Sequence, residues 1–513
     1  MGELLSLLYK PNFPILLIRK GIVLSLKMKP SYDCIIIGAG VGGATCGAIL
    51  AHKNVNTLIL EKNNRIGGSC SYYERDGFHV DTGTHMFSRG NRGPFGEVQR
   101  RLGIPDRIEF RQIPNLVRIK GLGLNIVLHS SLLKLPLFYF HLFHSLQIKC
   151  TEMPSVIKLF LQFFIMSNRR IKEWDNRNLD EFISKYTSNS AIYGFLAFWF
   201  GLYFVLPWWE ISAGEAIWCY KKMLRNNTLC YPKGGAVQVP KTFLDTAKRD
   251  GAKVLTDASI KRIIVENCEV RGVELTDGRI YYSKIVVSTT SLKDSVLNLI
   301  GEKYFPSEYV KDIRNIRGSF TAVQAKIALG KKLIDEGCLI ALTPLNLRIR
   351  DISIDRGRNF FKDINQGKIP DMYFVYCPVP TNFDHKLAPE GKQLLTACGI
   401  APTTDIETKD PPEKWIGCLM KSLRESIPKL DDHILWYDTF SVGDLERRIG
   451  KTHGHVVTTA QTPDQVGENR PSIKSPIKGL YFAGDCAGGR GIGTELAAQS
   501  GIECADLILK QRN

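Results

Sequence analysis

The run Tyr32–Ala44 reads Y-D-C-I-I-I-G-A-G-V-G-G-A, and it constrains the fold more than any other stretch of the chain. The apolar segment Cys34–Ile37 carries no alternation, which predicts a strand covered on both faces. Gly38, Gly40 and Gly43 follow in G-x-G-x-x-G spacing, with Gly42 beside the last. The first glycine allows a tight turn, the second lets backbone approach a pyrophosphate, and the third lets helix and strand pack closely. The helix that follows would aim free N–H groups and its positive dipole end at the phosphates. Loops match this pattern by chance, so its context decides. A second strand, Thr57–Leu60, ends at Glu61 with Lys62 beside it. That acid lies about 20 residues on, where a carboxylate would bind adenosine ribose hydroxyls. The chain therefore handles a dinucleotide, and redox chemistry is the leading class.

A chain of 513 residues exceeds what one core supports and predicts several domains. Strand–turn–helix alternation marks residues 31–90, 225–295 and 445–513, which predicts one cofactor domain built from three separated pieces. Thr276-Asp-Gly-Arg279 is a hairpin turn within the middle piece. Residues 91–224, helical and aromatic, and 296–444, mixed, would form an inserted α+β substrate domain. The fold class is α/β, a discontinuous Rossmann-like domain carrying that insertion.

With 68 basic and 51 acidic residues the formal charge is +17, which favours an anionic partner. No zinc-ligand spacing, RNA-binding signature or basic aromatic block points to nucleic acid, and no metal-ligand set is read. An anionic membrane surface fits better, because apolar stretches recur. Tyr186–Trp209 carries no charge and is long enough for a membrane-spanning candidate, but it contains Gly194, Gly201 and Pro207, which weaken a continuous helix. A single crossing there would also part the first glycine loop from a C-terminal Gly-Asp motif across a bilayer. It reads as the buried aromatic wall of an apolar tunnel, or as a face dipping into one leaflet. Leu132–Ile148 and Val156–Met166 read equally as core helices or as membrane-facing surface. Residues 1–30 are an N-terminal extension whose apolar runs, split by Arg19-Lys20-Gly21, fit a basic membrane-surface segment or an irregular lead-in, with Met28 an alternative start. The thirteen cysteines lack C-x-x-C pairs, and several (Cys34, Cys46, Cys504) sit in apparent strands or helices, which suits a reducing, cytoplasmic setting with peripheral membrane association.

Further motifs cluster with the first. Asn64-Arg65-Ile66-Gly67-Gly68 would wrap a diphosphate with backbone while Arg65 supplies charge, unless that arginine is simply solvated. Gly77-Phe-His-Val-Asp81-Thr-Gly83-Thr-His85 has strand-then-turn character, and the chain closes on Leu480-Tyr-Phe-Ala-Gly484-Asp485. These motifs resemble the flavin-dependent amine oxidase and phytoene desaturase superfamily. Tyr231-Pro-Lys-Gly-Gly235, Pro240, Asp444-Leu-Glu-Arg447, Gly454 and Arg470-Pro471 resemble its branch of phytoene desaturases, carotenoid isomerases and retinol saturases. The resemblance covers about half the chain and is thin in the inserted segments. It implies a glutathione-reductase-like FAD-binding domain and FAD as cofactor, with Ile260 beside the adenine and Gly484-Asp485 at the ribityl and pyrophosphate portion. Gly491, Ile492 and Gly493 would open a helix towards the flavin ring. Arg490 would add charge there or lie exposed.

The chemistry needs position, a dry tunnel and one proton carrier. His85 and Glu495 are the candidates, each with a structural alternative: a strand-end histidine, and an acid favoured by a helix dipole. Asp81 more readily orders its turn. The implied function is FAD-dependent desaturation, saturation or isomerisation at carbon–carbon bonds of an apolar isoprenoid or carotenoid-like substrate. The alternatives are an amine oxidase-type enzyme, or a non-catalytic prenyl-lipid binder resembling Rab GDP-dissociation inhibitors. The Gly488–Gly493 cluster lacks a strand–acid pair, so tight NAD(P) binding is not expected. Oligomeric state is not legible.

Overall fold

A computed structural model describes residues 16–19, 22–25, 31–226, 229–348 and 354–512. Leu16–Arg19 and Ile22–Ser25 pair as an antiparallel hairpin. The rest of the N-terminal extension, with Met28, lies outside the described residues.

Cys34–Ile37 forms the middle strand of a five-stranded parallel sheet, ordered Lys253–Leu255, Thr57–Leu60, Cys34–Ile37, Val286–Ser288, Leu480–Phe482. Side chains alternate across it with period two. Cys34 and Ile36 join the core under the helices Val41–His52, Gln238–Arg249 and Gly493–Arg512. Ile35 and Ile37 face the opposite core, shared with Ile263, Val265 and Val273 of a three-stranded antiparallel sheet. Burial on both sides is why this strand shows no polar alternation. The strands of this parallel sheet come from sequence segments more than 400 positions apart at their extremes, as Val286–Ser288 pairs with both Cys34–Ile37 and Leu480–Phe482. Thr276–Arg279 links Glu269–Leu275 to Ile280–Tyr282.

The second layer system is a seven-stranded sheet, ordered Ile434–Phe440, Thr321–Leu329, Gln393–Ala401, Tyr373–Pro378, Cys338–Thr343, Asn115–Gly121, Leu124–His129. All its pairings are antiparallel except Cys338–Thr343 with Asn115–Gly121. Its apolar face and the helices of residues 135–226 share one large core. Within it, Ser190–Phe204 begins where the Asn189 side chain accepts from the amides of Ala191 and Ile192, at 3.0 and 3.1 Å. Gly194 and Gly201 do not break this helix, which ends at Val205 in a left-handed conformation before Pro207. At 15 residues it is shorter than the roughly 20 needed to cross a bilayer. No helix among the described residues is long and apolar enough to do so.

Candidate active site

One cavity of about 780 Å³ runs between the two sheets, with the glycine loops at one end and the aromatic helix at the other. At the glycine end, Gly38, Gly40, Val41 and Gly42 line it. Gly40 starts the helix Val41–His52 with no side-chain cap, so the helix N-terminus is presented to the cavity. Gly43 does not line the cavity and serves packing instead. A Cβ there would run into the Gly38 carbonyl and the Ile36 side chain. Gly67 donates its N–H to Ala39 O at 3.0 Å, which lays Gly67 and Gly68 against the first loop. Glu61 is buried, with Oε2 accepting from Ala39 N at 2.9 Å and Oε1 from Asn63 N at 3.0 Å. Its carboxylate thus joins the two dinucleotide loops at the end of the second strand. Lys62 and Ile260 also line this end.

Arg65 is placed elsewhere. Its Nη1 donates to Tyr72 O at 2.8 Å and its guanidinium sits 5.6 Å from the Tyr72 ring, outside the cavity lining. The expectation of charge supplied to a diphosphate gives way to the solvated alternative.

Gly484, Asp485, Ile492 and Gly493 enter the cavity from the C-terminal piece. Asp485 accepts from Lys451 Nζ at 2.6 Å and from Thr458 Oγ1 at 3.1 Å. Burial raises its carboxyl, but the Lys451 ammonium outweighs that and holds it below the usual range. Gly491 is behind the lining, its N–H bonded to Glu215 Oε1 at 2.7 Å. Arg490 is neither exposed nor free to serve a ligand. It bridges Asp175 at 2.5 Å and Glu215 at 3.1 Å and lies 5.6 Å from the Trp218 ring. This network ties the C-terminal loop to helix Ala213–Asn226. Sequence reading missed Asp175 and Glu215, because only the fold brings them to Arg490.

His85 lines the cavity and is buried, with no hydrogen-bond partner at either ring nitrogen among the described residues. Burial, then the charge of Lys326, lowers its pKa well below the ordinary histidine range, so the ring is neutral at pH 7. Glu495 also lines the cavity. Its Oε1 accepts from Ser88 N at 2.6 Å and Ser88 Oγ at 3.0 Å, tying the loop that carries His85 to the C-terminal helix. Asp81 accepts from the Tyr231 hydroxyl and from Ala236 N, so it ties its strand to the distant segment 231–236 and not, as expected, its own turn.

Lys326, absent from the sequence reading, is fully buried, and its Nζ has no partner among the described residues. Desolvation brings its pKa down to about 8. It faces Thr396 across adjacent strands, with Gln324 two positions earlier on the same face. Thr396 Oγ1 and Gln324 Oε1 are likewise unpartnered. Buried polar atoms are normally paired within the protein or with water or ligand. The available signal was one lysine in the apolar strand Thr321–Leu329.

Ser190–Phe204 supplies the opposite wall through Tyr193, Phe198 and Trp199, met by Phe361, Phe374 and Tyr376. The buried-wall reading of Tyr186–Trp209 holds for this helix. Two loops with backbone glycines, an uncapped helix start and a buried acid form a cradle that fits the dinucleotide end of FAD. A wall of hydrocarbon and aromatic surface continues from it. No group of His, Cys, Asp or Glu among the described residues could hold a metal ion.

Comparison with known proteins agrees with this geometry. The family model for flavin containing amine oxidoreductase matches residues 41–509. A chloroplastic prolycopene isomerase of Daucus carota is 26% identical, over 94% of this chain and 81% of its own. The 4,4'-diapophytoene desaturase (4,4'-diaponeurosporene-forming) of Staphylococcus haemolyticus is 24% identical over 88% and 93%. The all-trans-retinol 13,14-reductase of Danio rerio is 23% identical over 90% and 83%. Among solved structures, an oxidoreductase from Methanosarcina mazei aligns with TM-score 0.68 and 17% identity, covering 92% of this chain and 100% of its own. A putrescine oxidase bound to putrescine aligns with TM-score 0.67 and 12% identity, covering 94% and 100%. At those identities the structural matches speak for the fold.

Proposed function

As this chain belongs to the flavin containing amine oxidoreductase family, and is an FAD-dependent oxidoreductase, we propose that it acts on carbon–carbon bonds of an apolar isoprenoid or carotenoid-like substrate. The observation that carries this reading is one continuous cavity whose glycine-lined end opens into an aromatic one. Three relatives named for polyene isomerisation, desaturation and reduction point the same way. An anionic membrane surface is the proposed second partner, consistent with the +17 charge.

FAD, when bound, supplies hydride exchange at a carbon–carbon bond. The chain supplies the rest. Gly38, Gly40, Gly42, Gly67 and Gly68 bring backbone to the diphosphate, Glu61 takes the adenosine ribose, and Asp485 with Gly484 holds the ribityl end. Phe198, Trp199 and Phe374 clamp a flat apolar chain and keep water out. Neutral His85 offers Nδ1 or Nε2 as a proton donor or acceptor, and Lys326, whose charge acts on His85, is a group that sheds its proton near pH 8. Glu495 acts by holding the His85 loop through Ser88.

An amine substrate has less support: Trp218, the aromatic ring beside Gly491, does not line the cavity, and its face is taken by the Arg89 guanidinium at 5.1 Å and Arg490 at 5.6 Å. The test mixes purified full-length protein with candidate polyenes, with and without oxygen, and follows the flavin spectrum and product chromatography. A changed product profile or flavin redox state is expected. If neither moves with any polyene, the isoprenoid assignment falls.

A further inference from the structure

The cavity floor changes chemistry from one row of the seven-stranded sheet to the next. Ala322 pairs with Ile400 and Leu342 with Phe374, and all four line the cavity as hydrocarbon and aromatic surface. Two positions along each strand the same face is presented again. There Gln324 pairs with Cys398, Cys398 with Tyr376 and Tyr376 with Ile340, and these also line the cavity. An amide, a thiol and a phenol have replaced hydrocarbon groups. One step further, Lys326 pairs with Thr396 behind the lining. His85 reaches the same corner from the cofactor half, since it lines the cavity and feels the charge of Lys326.

Unpaired polar atoms gather at this corner. Gln324 Oε1, Lys326 Nζ, Thr396 Oγ1 and both ring nitrogens of His85 lack a hydrogen-bond partner among the described residues, and none of the four residues is more than 6% exposed. Asp438, paired with Lys326 on its other side, accepts instead from Tyr73 and Arg75. Buried polar groups normally find partners in protein, water or ligand, and an unpaired one costs free energy. Gln324 brings an acceptor and two donors, neutral His85 one of each, and Lys326 and Thr396 add donors behind them. A methyl group can serve none of these atoms, whereas an oxygen can.

We propose that the corner formed by His85, Gln324, Lys326 and Thr396 is a subsite for an oxygen-bearing end group, a hydroxyl or a carboxylate, of a substrate whose hydrocarbon body lies along Ala322, Ile400, Phe374 and Leu342. This rests on the isoprenoid reading for the hydrocarbon body, while the end-group subsite stands on the unpaired atoms. Anchoring one end would hold the chain in one direction and fix how far from the oxygen the reacting bond lies. An apolar pocket barely rejects an added hydroxyl, but a site built to bond an oxygen strongly rejects the analogue that lacks it. The preference for one end group over another therefore tells the two kinds of site apart.

The test titrates the full-length holoprotein with three polyenes of one chain length, ending in a methyl, a hydroxymethyl or a carboxylate group, all delivered from the same detergent micelles. Trp199 and Trp208 line the cavity, so quenching of their fluorescence reads binding. The alcohol, the carboxylate or both are expected to bind about tenfold or more tighter than the hydrocarbon. In Q324L that preference should shrink to within about threefold, with hydrocarbon binding kept. K326M should weaken the carboxylate more than the alcohol if the end group is anionic, and both alike if it is a hydroxyl. Retained flavin absorbance and circular dichroism establish that the variants are folded, and the comparison of three ligands on wild type needs no variant. Equal affinity of wild type for all three overturns the proposal, because water alone then serves the corner. So does binding of none of them, or a preference that survives unchanged in both variants. Product formation separates this proposal from the isoprenoid reading. Turnover with equal affinities would sink the subsite and keep that reading. An end-group preference without product or flavin change from any polyene would sink that reading and leave the subsite standing.

Discussion

The two ends of the cavity are built on different principles. At the dinucleotide end, shape comes from backbone brought into contact: a Cβ on Gly42 would stand 2.9 Å from the Gly484 Cα, joining segments at opposite ends of the chain. At the aromatic end, shape comes from side chains projecting off one helix and a sheet face. Backbone contact tolerates only glycine, so the first end is written into spacing. Apolar packing accepts many residues of similar volume, so the second end leaves no comparable pattern. This difference also sorts the consequences of substitution.

The largest effect is expected from Gly43→Val. Its side chain would meet the Gly38 carbonyl and Ile36, neither of which can yield without moving the first strand or its helix. Overpacking of this sort costs about 1–3 kcal/mol, occasionally more, and it displaces the loop that faces the diphosphate. Purified Gly43→Val is expected to lack the visible flavin spectrum. A variant carrying a full complement of FAD would break the comparison, because the dinucleotide end would then tolerate side-chain bulk as the aromatic end does.

Legibility follows the same division. The strand Cys34–Ile37, the acid at Glu61, the hairpin turn Thr276–Arg279 and the terminal helix were readable, since each is local and its physical reason lies within a few residues. Arg490 was not, because its partners Asp175 and Glu215 are distant in sequence and reach it only through the fold. The apolar stretches gave hydrophobicity without direction. Ser190–Phe204 is largely buried, whereas Ile157, Leu161 and Ile165 are exposed, and neither glycine content nor interrupting charge told them apart. The inserted half is the part whose core is a single apolar cluster assembled from many segments, and no one segment encodes its neighbours.

An intermediate effect is expected where the two halves meet. Lys326, from the inserted sheet, is near enough for its charge to lower the pKa of His85, from the cofactor half, and burial lowers its own pKa to about 8. A folded-state lysine pKa below the unfolded value of about 10.4 means the fold disfavours the charged form. Below about pH 8 the cost is complete, and it shrinks as pH rises towards the unfolded value. Lys326→Met removes it, so the variant is expected to be more stable at pH 7 by an amount on the order of 3 kcal/mol, measured by denaturant unfolding. The gain should narrow above pH 8. The same substitution should erase any limb near pH 8 from the turnover profile. Equal stabilities at pH 7 and an unchanged profile would mean that Lys326 has a partner in solution and plays no part in proton transfer.

The smallest effect is expected at Arg65, and it sharpens the comparison most finely. Position in sequence puts this arginine directly before Gly67-Gly68, where a positive charge would meet a diphosphate. In the fold its guanidinium turns away to the Tyr72 carbonyl at 2.8 Å and stands over the Tyr72 ring. Exposed contacts of this kind contribute about 0–1 kcal/mol. Arg65→Ala is therefore expected to change FAD affinity by no more than about fivefold, since 1.4 kcal/mol is tenfold, as measured by titration of the apoprotein. Gly67, whose backbone φ of +117° belongs to the left-handed region, should be far less tolerant of the same alanine. If Arg65→Ala lost affinity tenfold while Gly67→Ala did not, charge rather than backbone would govern the dinucleotide end, and the division between the two ends would have to be redrawn.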